Sequence, residues 1–138
     1  MGENYIYHPA EAASDSGRDY VFFWSVIDYG YAEASGEKLA MGYAYDGRIN
    51  IIYGTHTHVP TADTQILPDG TGYVTDLGMC GEGGGVMGMD AHDVIKKMRS
   101  RLPIRFSAAK GEAYADGVIF TLDEKSGRVT EVERVKIT

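Results

Sequence analysis

Apolar and polar positions alternate unevenly along the chain, and their spacing divides it into elements. Met1 to Asp19 is polar and rich in small residues, with no apolar period able to build a core, and reads as a polar N-terminal arm or a short helix. Tyr20-Val-Phe-Phe-Trp-Ser-Val-Ile27 follows, an almost continuous β-branched and aromatic run of the kind found in a strand covered on both faces. Between Ala32 and Tyr45 the positions Leu39, Ala40, Tyr43 and Ala44 recur at helical spacing, with Gly47 where a helix would stop. Ile49 to Tyr53 predicts a second strand, so the order strand, helix, strand suggests the crossover unit of a parallel sheet.

Beyond it, Gln65-Ile66-Leu67 and Gly72-Tyr73-Val74-Thr75 flank Pro68-Asp69-Gly70, a turn signal between short strands. Gly78 to Gly88 is glycine-rich and reads as a loop. Asp90 is placed to cap a helix over Ala91 to Ser100 whose apolar face is Val94, Ile95 and Met98. Ile104 to Ala108, Ala113 to Leu122 and Arg128 to Ile137 predict an antiparallel meander, its last hairpin turned by Asp123-Glu-Lys-Ser-Gly127. The expected fold class is α/β: a mixed sheet with flanking helices and a C-terminal antiparallel hairpin, in one domain over residues 20–138. No internal repeat is visible.

A chain of 138 residues, 43% hydrophobic and with 18 glycines, is composed like a globular, turn-rich domain. A formal net charge of −7 argues against a binder of nucleic acid duplexes, which needs a basic face to release counterions. It does not exclude a small phosphate-bearing substrate, because bound metal ions reverse the local field. The lone cysteine, Cys80, precludes an internal disulfide and suits a reducing, cytoplasmic setting; with no Cys or His near it in sequence it reads as a buried structural thiol. No apolar run is long enough for a membrane span, and the N-terminus lacks the pattern of a signal peptide.

Candidate chemistry concentrates in Gly54-Thr55-His56-Thr57-His58-Val59-Pro60. Two histidines just past an apolar strand stand at its C-terminal edge, where ligand sites form in open α/β sheets. Neutral imidazole ligates zinc, iron and manganese, and in a loop both rings can be aimed at one metal or an adjacent pair. The competing reading is two polar histidines in an exposed turn, bonded to nearby backbone.

The residues around the pair resemble a known family. Ala32-Glu33-Ala34, Glu37-Lys38, Met41-Gly42, Asp46-Gly47-Arg48 and Gly54 to Asp63 look like the corresponding run of YmdB-like metallophosphoesterases. The likeness continues through Ile66-Leu67-Pro68, Thr75-Asp76, Gly78-Met79, Gly88-Met89-Asp90, Leu102 to Phe106 and Ala109-Lys110-Gly111, in order and with matching spacing. It implies the C-terminal half of a calcineurin-like α/β sandwich that holds two metals, usually iron or manganese, and hydrolyses phosphodiesters such as 2′,3′-cyclic nucleotides. It also implies that His56 and His58 are the last pair of metal-ligating histidines, in a two-metal reaction on an ionised water.

The chain departs from that pattern in two places. Where the family carries a further histidine ligand, just before Ala-Glu-Ala, this sequence has Tyr31, whose phenol must shed a proton of pKa ~10 to ligate well. The family's other ligands and its proton-donating histidine belong to an N-terminal half, for which there is no room before residue 20. Gly2-Glu3-Asn4, His8 and His92 offer no replacement: the first echoes a short motif by coincidence, and the histidines read as exposed. Glu33 either bonds a ligand histidine from behind or caps the helix starting beside it. Asp63 and Asp76 can orient ligands or simply form turns, and Gly81 to Gly85 reads as a connector more than a phosphate loop.

Two principal readings follow, beside a third in which the histidine loop binds a nucleotide without hydrolysis and with metal absent. One is a metal-dependent phosphodiesterase-like protein, incomplete as an isolated chain. The other is a non-catalytic binding or assembly module derived from the same fold, either a homo-oligomer or one that pairs with a complementing subunit.

Overall fold

The computed structural model describes residues 34–138. The N-terminal arm, the expected strand Tyr20–Ile27, Tyr31 and Glu33 lie outside the described residues. The helix expected from Ala32 is seen as α1, Ser35–Ala44, and the strand after it as β1, Ile51–Tyr53. The next two strands are β2, Gln65–Ile66, and β3, Gly72–Val74.

These three strands form a mixed sheet in the order β1-β3-β2, with β1 parallel to β3 and β2 antiparallel to it. The parallel pair puts Ile52 opposite Tyr73, and every residue of β3 is buried, as suits a strand covered on both faces. The turn between β2 and β3 closes with Gly70 N–H donating to the Leu67 carbonyl at 2.9 Å, and Gly70 takes φ +99°, which glycine adopts without strain. Ile52, Leu67 and Tyr73 make the core, with Leu39, Tyr45 and Ile49 packed against it.

The face that α1 buries differs from the expected stripe. Lys38 and Gly42 are buried and Leu39 and Tyr45 half-buried, whereas Ala40, Tyr43 and Ala44 are exposed. Close packing explains the rotation: a Cβ on Gly42 would stand 2.9 Å from the Tyr73 ring, so the helix meets the sheet along its glycine. At ~100° per residue, that contact turns Tyr43 away.

A second, antiparallel sheet runs in the order β4-β5-β6. Its long hairpin, β5 (Ala113–Leu122) and β6 (Val129–Ile137), has the expected turn, with the Asp123 carboxylate accepting from the Ser126 amide at 2.8 Å. The first strand, β4 (Cys80–Glu82), corrects the reading of Gly78–Gly88 as a loop throughout. Three glycyl or polar residues give no apolar alternation, so only the partner strand reveals them. The two sheets meet where Val129 N–H donates to the Gly70 carbonyl at 2.9 Å and the Phe120 ring lies over Gly72.

Helix α2, Ala91–Ser100, is capped as expected, Asp90 accepting from the amides of His92 and Asp93. None of its residues is buried, and Ile95 and Met98 of the expected inner face are exposed. Ile104–Ala108 is not a strand: it makes one isolated bridge, Met89 with Ala108. Pro103 removes an amide just before it, and Ser107 N–H goes to the Asp93 carboxylate at 3.0 Å, tying the segment to α2 instead of a ladder. Among the described residues no helix is long and apolar enough to cross a membrane.

Candidate metal centre

The histidine loop begins at a glycine that nothing else can replace without a shift of backbone. Gly54 N–H donates to the Val74 carbonyl at 3.0 Å and its own carbonyl accepts from Leu77 N–H at 2.9 Å, which clamps the end of β1 against the segment leaving β3. A Cβ there would stand 2.0 Å from the Thr75 carbonyl oxygen. The stem of the buried Lys38 lies alongside, and its ammonium donates to the carbonyl of Thr55, the residue just before the first histidine.

Both histidines then leave extended geometry, His56 with φ 104° and His58 with φ 62°. Each such conformation costs a side-chain-bearing residue roughly 1 kcal/mol or more and persists only where its surroundings enforce it. The enforcement comes from Asp76, which is fully buried. Its Oδ2 accepts from Thr57 N–H at 2.7 Å and from the Thr57 hydroxyl at 2.8 Å, and its Oδ1 accepts from Gly78 N–H at 2.9 Å. The Asp76 backbone is fixed in turn. Its amide donates to Thr61 Oγ1 at 2.9 Å, and its carbonyl accepts from Arg134 Nη2 at 2.9 Å. A carboxylate thus pins the residue between the histidines and leaves both imidazoles at one end of the sheet.

His56 and His58 open onto a trough of about 650 Å³ that continues past Met79 and Cys80 to Glu82, with Met87 on its lip. Cys80 is exposed on this wall, correcting the expectation of a buried thiol. It lies on β4, an outer strand of its sheet.

The remaining expected residues divide. Asp63 lies near the site but serves Thr75, whose amide donates to it at 3.2 Å and whose hydroxyl also donates to it. Burial of Asp63 works against its ionisation, and hydrogen bonds from Thr61 and Thr75 outweigh that and hold its carboxyl below the usual range. His92 is exposed in the first turn of α2, as expected, and Tyr31 and Glu33 are outside the described residues; Ala34, not a carboxylate, occupies the N-cap of α1. Sequence reasoning missed Lys38 and Arg134, because a lysine on a helix and an arginine on an alternating strand both read as solvated.

Among the described residues no group of three or more His, Cys, Asp or Glu side chains is placed to hold a metal ion. Two imidazoles match iron or manganese in donor chemistry but fall short of the three protein ligands that a catalytic site ordinarily uses. The described residues therefore fit a metal only as part of a donor set.

Residues 12–135 match the model of the family described as YmdB-like protein. The chain belongs to the YmdB-like family. This YmdB-like chain is 44% identical over 128 residues to a Bacillus subtilis protein named 2′,3′-cyclic-nucleotide 2′-phosphodiesterase, an alignment covering 93% of this chain and 46% of that protein. A solved structure from Mycoplasma pneumoniae, titled a novel phosphatase, superposes with a TM-score of 0.71 at 40% identity, covering 76% of this chain and 38% of that one. A hypothetical protein from Thermus thermophilus gives a TM-score of 0.68 at 34% identity over 76% of this chain and 41% of its own. The YmdB-like chain spans less than half the length of these relatives, and its α/β fold is consistent with half of the sandwich of such phosphatases.

Proposed function

We propose that this chain supplies the two-histidine part of a metal-dependent phosphodiesterase site acting on 2′,3′-cyclic nucleotides or related small phosphodiesters. On this reading the chain turns over little substrate until further ligands are added by a complementing subunit or a second copy. The observation that carries the reading is the His56-Thr57-His58 loop, held in two positive-φ conformations by a buried carboxylate and opening onto a trough, in a chain of the YmdB-like family. Proteins keep such strain chiefly where a site requires it.

His56 and His58 would hold the metal, iron or manganese, while Asp76 and Lys38 fix the loop that carries them. When bound, the metal lowers the pKa of a water molecule and offsets charge on the phosphoryl oxygens. Tyr31 is a weak further donor and Glu33 a residue that would orient a ligand histidine. A reducing cytoplasm suits the exposed thiol of Cys80.

A second reading, a binding or assembly module without catalysis, is favoured by one observation. Ile95 and Met98, three apart on α2, and Leu102, just past its end, are 47%, 76% and 64% exposed, apolar surface that self-association or a complementing subunit would cover.

Metal content and hydrolysis of a 2′,3′-cyclic nucleotide and an aryl phosphodiester, measured together with added iron or manganese, separate the two. The proposed function expects metal bound by the purified chain and lost in a His56→Ala, His58→Ala variant, with turnover appearing when the missing ligands are supplied. A folded oligomer that takes up no metal and shows no turnover overturns it in favour of the module.

A further inference from the structure

The trough does not end at the histidines. It runs along β4, where Cys80 and Glu82 share one face at alternate positions, so Glu82 stands ~7 Å farther from the histidine loop along the strand than Cys80. The surface between is low and apolar. The Met79 methyl lies 3.0 Å from where a Cβ of Gly81 would be and 3.5 Å from that of Gly88, so a thioether backed by two glycines makes a shallow floor. Met87 borders the same space, 53% exposed and held at φ 51°. Met79 and Met87 both line the trough, and polarisable thioethers favour contact with aromatic rings.

The far end selects among aromatic ligands by charge. The Glu82 carboxylate is exposed and has no hydrogen-bond partner among the described residues; Glu112 and Lys136 line the adjoining hollow with it, the lysine ammonium lying over the Tyr114 ring. An ionised carboxylate only accepts hydrogen bonds, through two oxygens side by side. Guanine alone among the common bases offers two adjacent donors, N1–H and the 2-amino group, on one edge. Adenine and cytosine place an acceptor beside their amino donor, and uracil flanks its single N–H with two carbonyls.

We propose that the wall formed by Met79, Met87 and Glu82 is a nucleobase subsite selective for guanine, Glu82 accepting both donors of the guanine edge while the ribose phosphate points to His56 and His58. The assignment rests on the phosphodiesterase reading for the nature of the ligand, but not on metal binding or turnover.

Ligand-observed NMR on the purified chain, without metal, tests it with guanosine, uridine and their 2′,3′-cyclic phosphates. The subsite expects guanosine to bind about tenfold more tightly than uridine, the worth of a paired charge-assisted contact partly exposed to solvent. Glu82→Gln should bring the ratio close to one, and Met87→Ala should weaken both nucleosides alike; neither residue is needed for the fold, both being exposed. Guanosine selectivity that depends on Glu82 in a chain found to bind no metal sustains the subsite while the phosphodiesterase reading fails. Metal uptake and turnover with equal affinity for all bases, or with a preference unaltered in Glu82→Gln, overturns the subsite and leaves that reading standing. Absence of nucleoside binding overturns it as well.

Discussion

Thr57 stands between the two histidines, and its amide and hydroxyl both end on one oxygen of Asp76. Asparagine at position 76 keeps the size of the side chain but turns one of its oxygens into a donor, so either Thr57 or Gly78 faces an N–H with an N–H. With that anchor lost, the loop relaxes towards ordinary φ values and the imidazoles separate. Changes behind metal ligands typically lower metal affinity 10–100-fold, and a loss of about tenfold or more is expected for Asp76→Asn. Manganese-induced broadening of the His56 and His58 NMR signals measures it even where binding is weak. Because Asp76 is buried, Thr57→Val serves as the milder companion, removing only the hydroxyl bond. Broadening equal to wild type in folded forms of both variants would remove Asp76 from its positioning role. At this scale the sequence was partly legible. A pair of histidines past an apolar strand advertises itself, and Asp76 stood out as a residue able either to orient ligands or to form a turn. The bond by which Asp76 holds the residue between the histidines spans 19 positions, and the Lys38 bond to the Thr55 carbonyl spans 17, distances over which local spacing carries no signal.

Helix α2 shows how an element holds when packing contributes little. It buries no residue, so its ends carry more of its stability than is usual. Asp90 Oδ1 accepts from His92 N–H at 2.9 Å and from Asp93 N–H at 3.1 Å, and Asp93 Oδ2 receives Ser107 N–H at 3.0 Å. Removing such a cap costs about 1 kcal/mol. Asp90→Ala is therefore expected to speed amide hydrogen exchange throughout α2 by about fivefold while leaving β5 and β6 at wild-type protection. Uniform acceleration across both regions would mean that α2 unfolds only with the whole chain and that the cap is not its main support. The same helix marks the boundary of what pattern alone could deliver. Turn and cap residues (Asp90, Pro68-Asp69-Gly70, Asp123 to Gly127) fixed their elements because each acts on its own neighbours. Ile104 to Ala108 has strand composition yet no ladder, and β4 has a ladder without strand composition. Both outcomes were set by which partner lies alongside, a property of the assembled chain.

Across the described molecule, Asp46, Asp63, Asp93 and Asp123 accept backbone amides, as Asp76 and Asp90 do. Asp46, between α1 and β1, takes the amides of Asp69 at 2.8 Å and Thr71 at 3.2 Å; Asp63 takes Thr75, Asp93 takes Ser107 and Asp123 takes Ser126. For Asp46 and Asp63 burial opposes ionisation, but the hydrogen bonds prevail; for Asp93 and Asp123 the bonds from Ser107 and Ser126 lead. All four carboxyls are held below the ordinary 3.8. A group whose folded pKa is lowered binds fewer protons folded than unfolded, so its contribution to stability is complete above the unfolded value and disappears as pH falls through the folded one. Melting temperature should therefore show no loss from these groups between about pH 7 and about pH 5, then fall as pH drops below about 4. The two sheets meet at Gly70 and Gly72, in the stretch that Asp46 secures, so acid should loosen both sheets in one transition. Asp46→Asn with Asp63→Asn provides the check: the double variant should melt lower at neutral pH, having lost two charge-assisted anchors, and should lose less on acidification, having fewer carboxylates to protonate. Circular dichroism melts across that range measure both effects. An acid-side slope as steep as that of wild type would move the origin of acid sensitivity away from these anchors and into carboxylates whose bonds lie elsewhere in the chain.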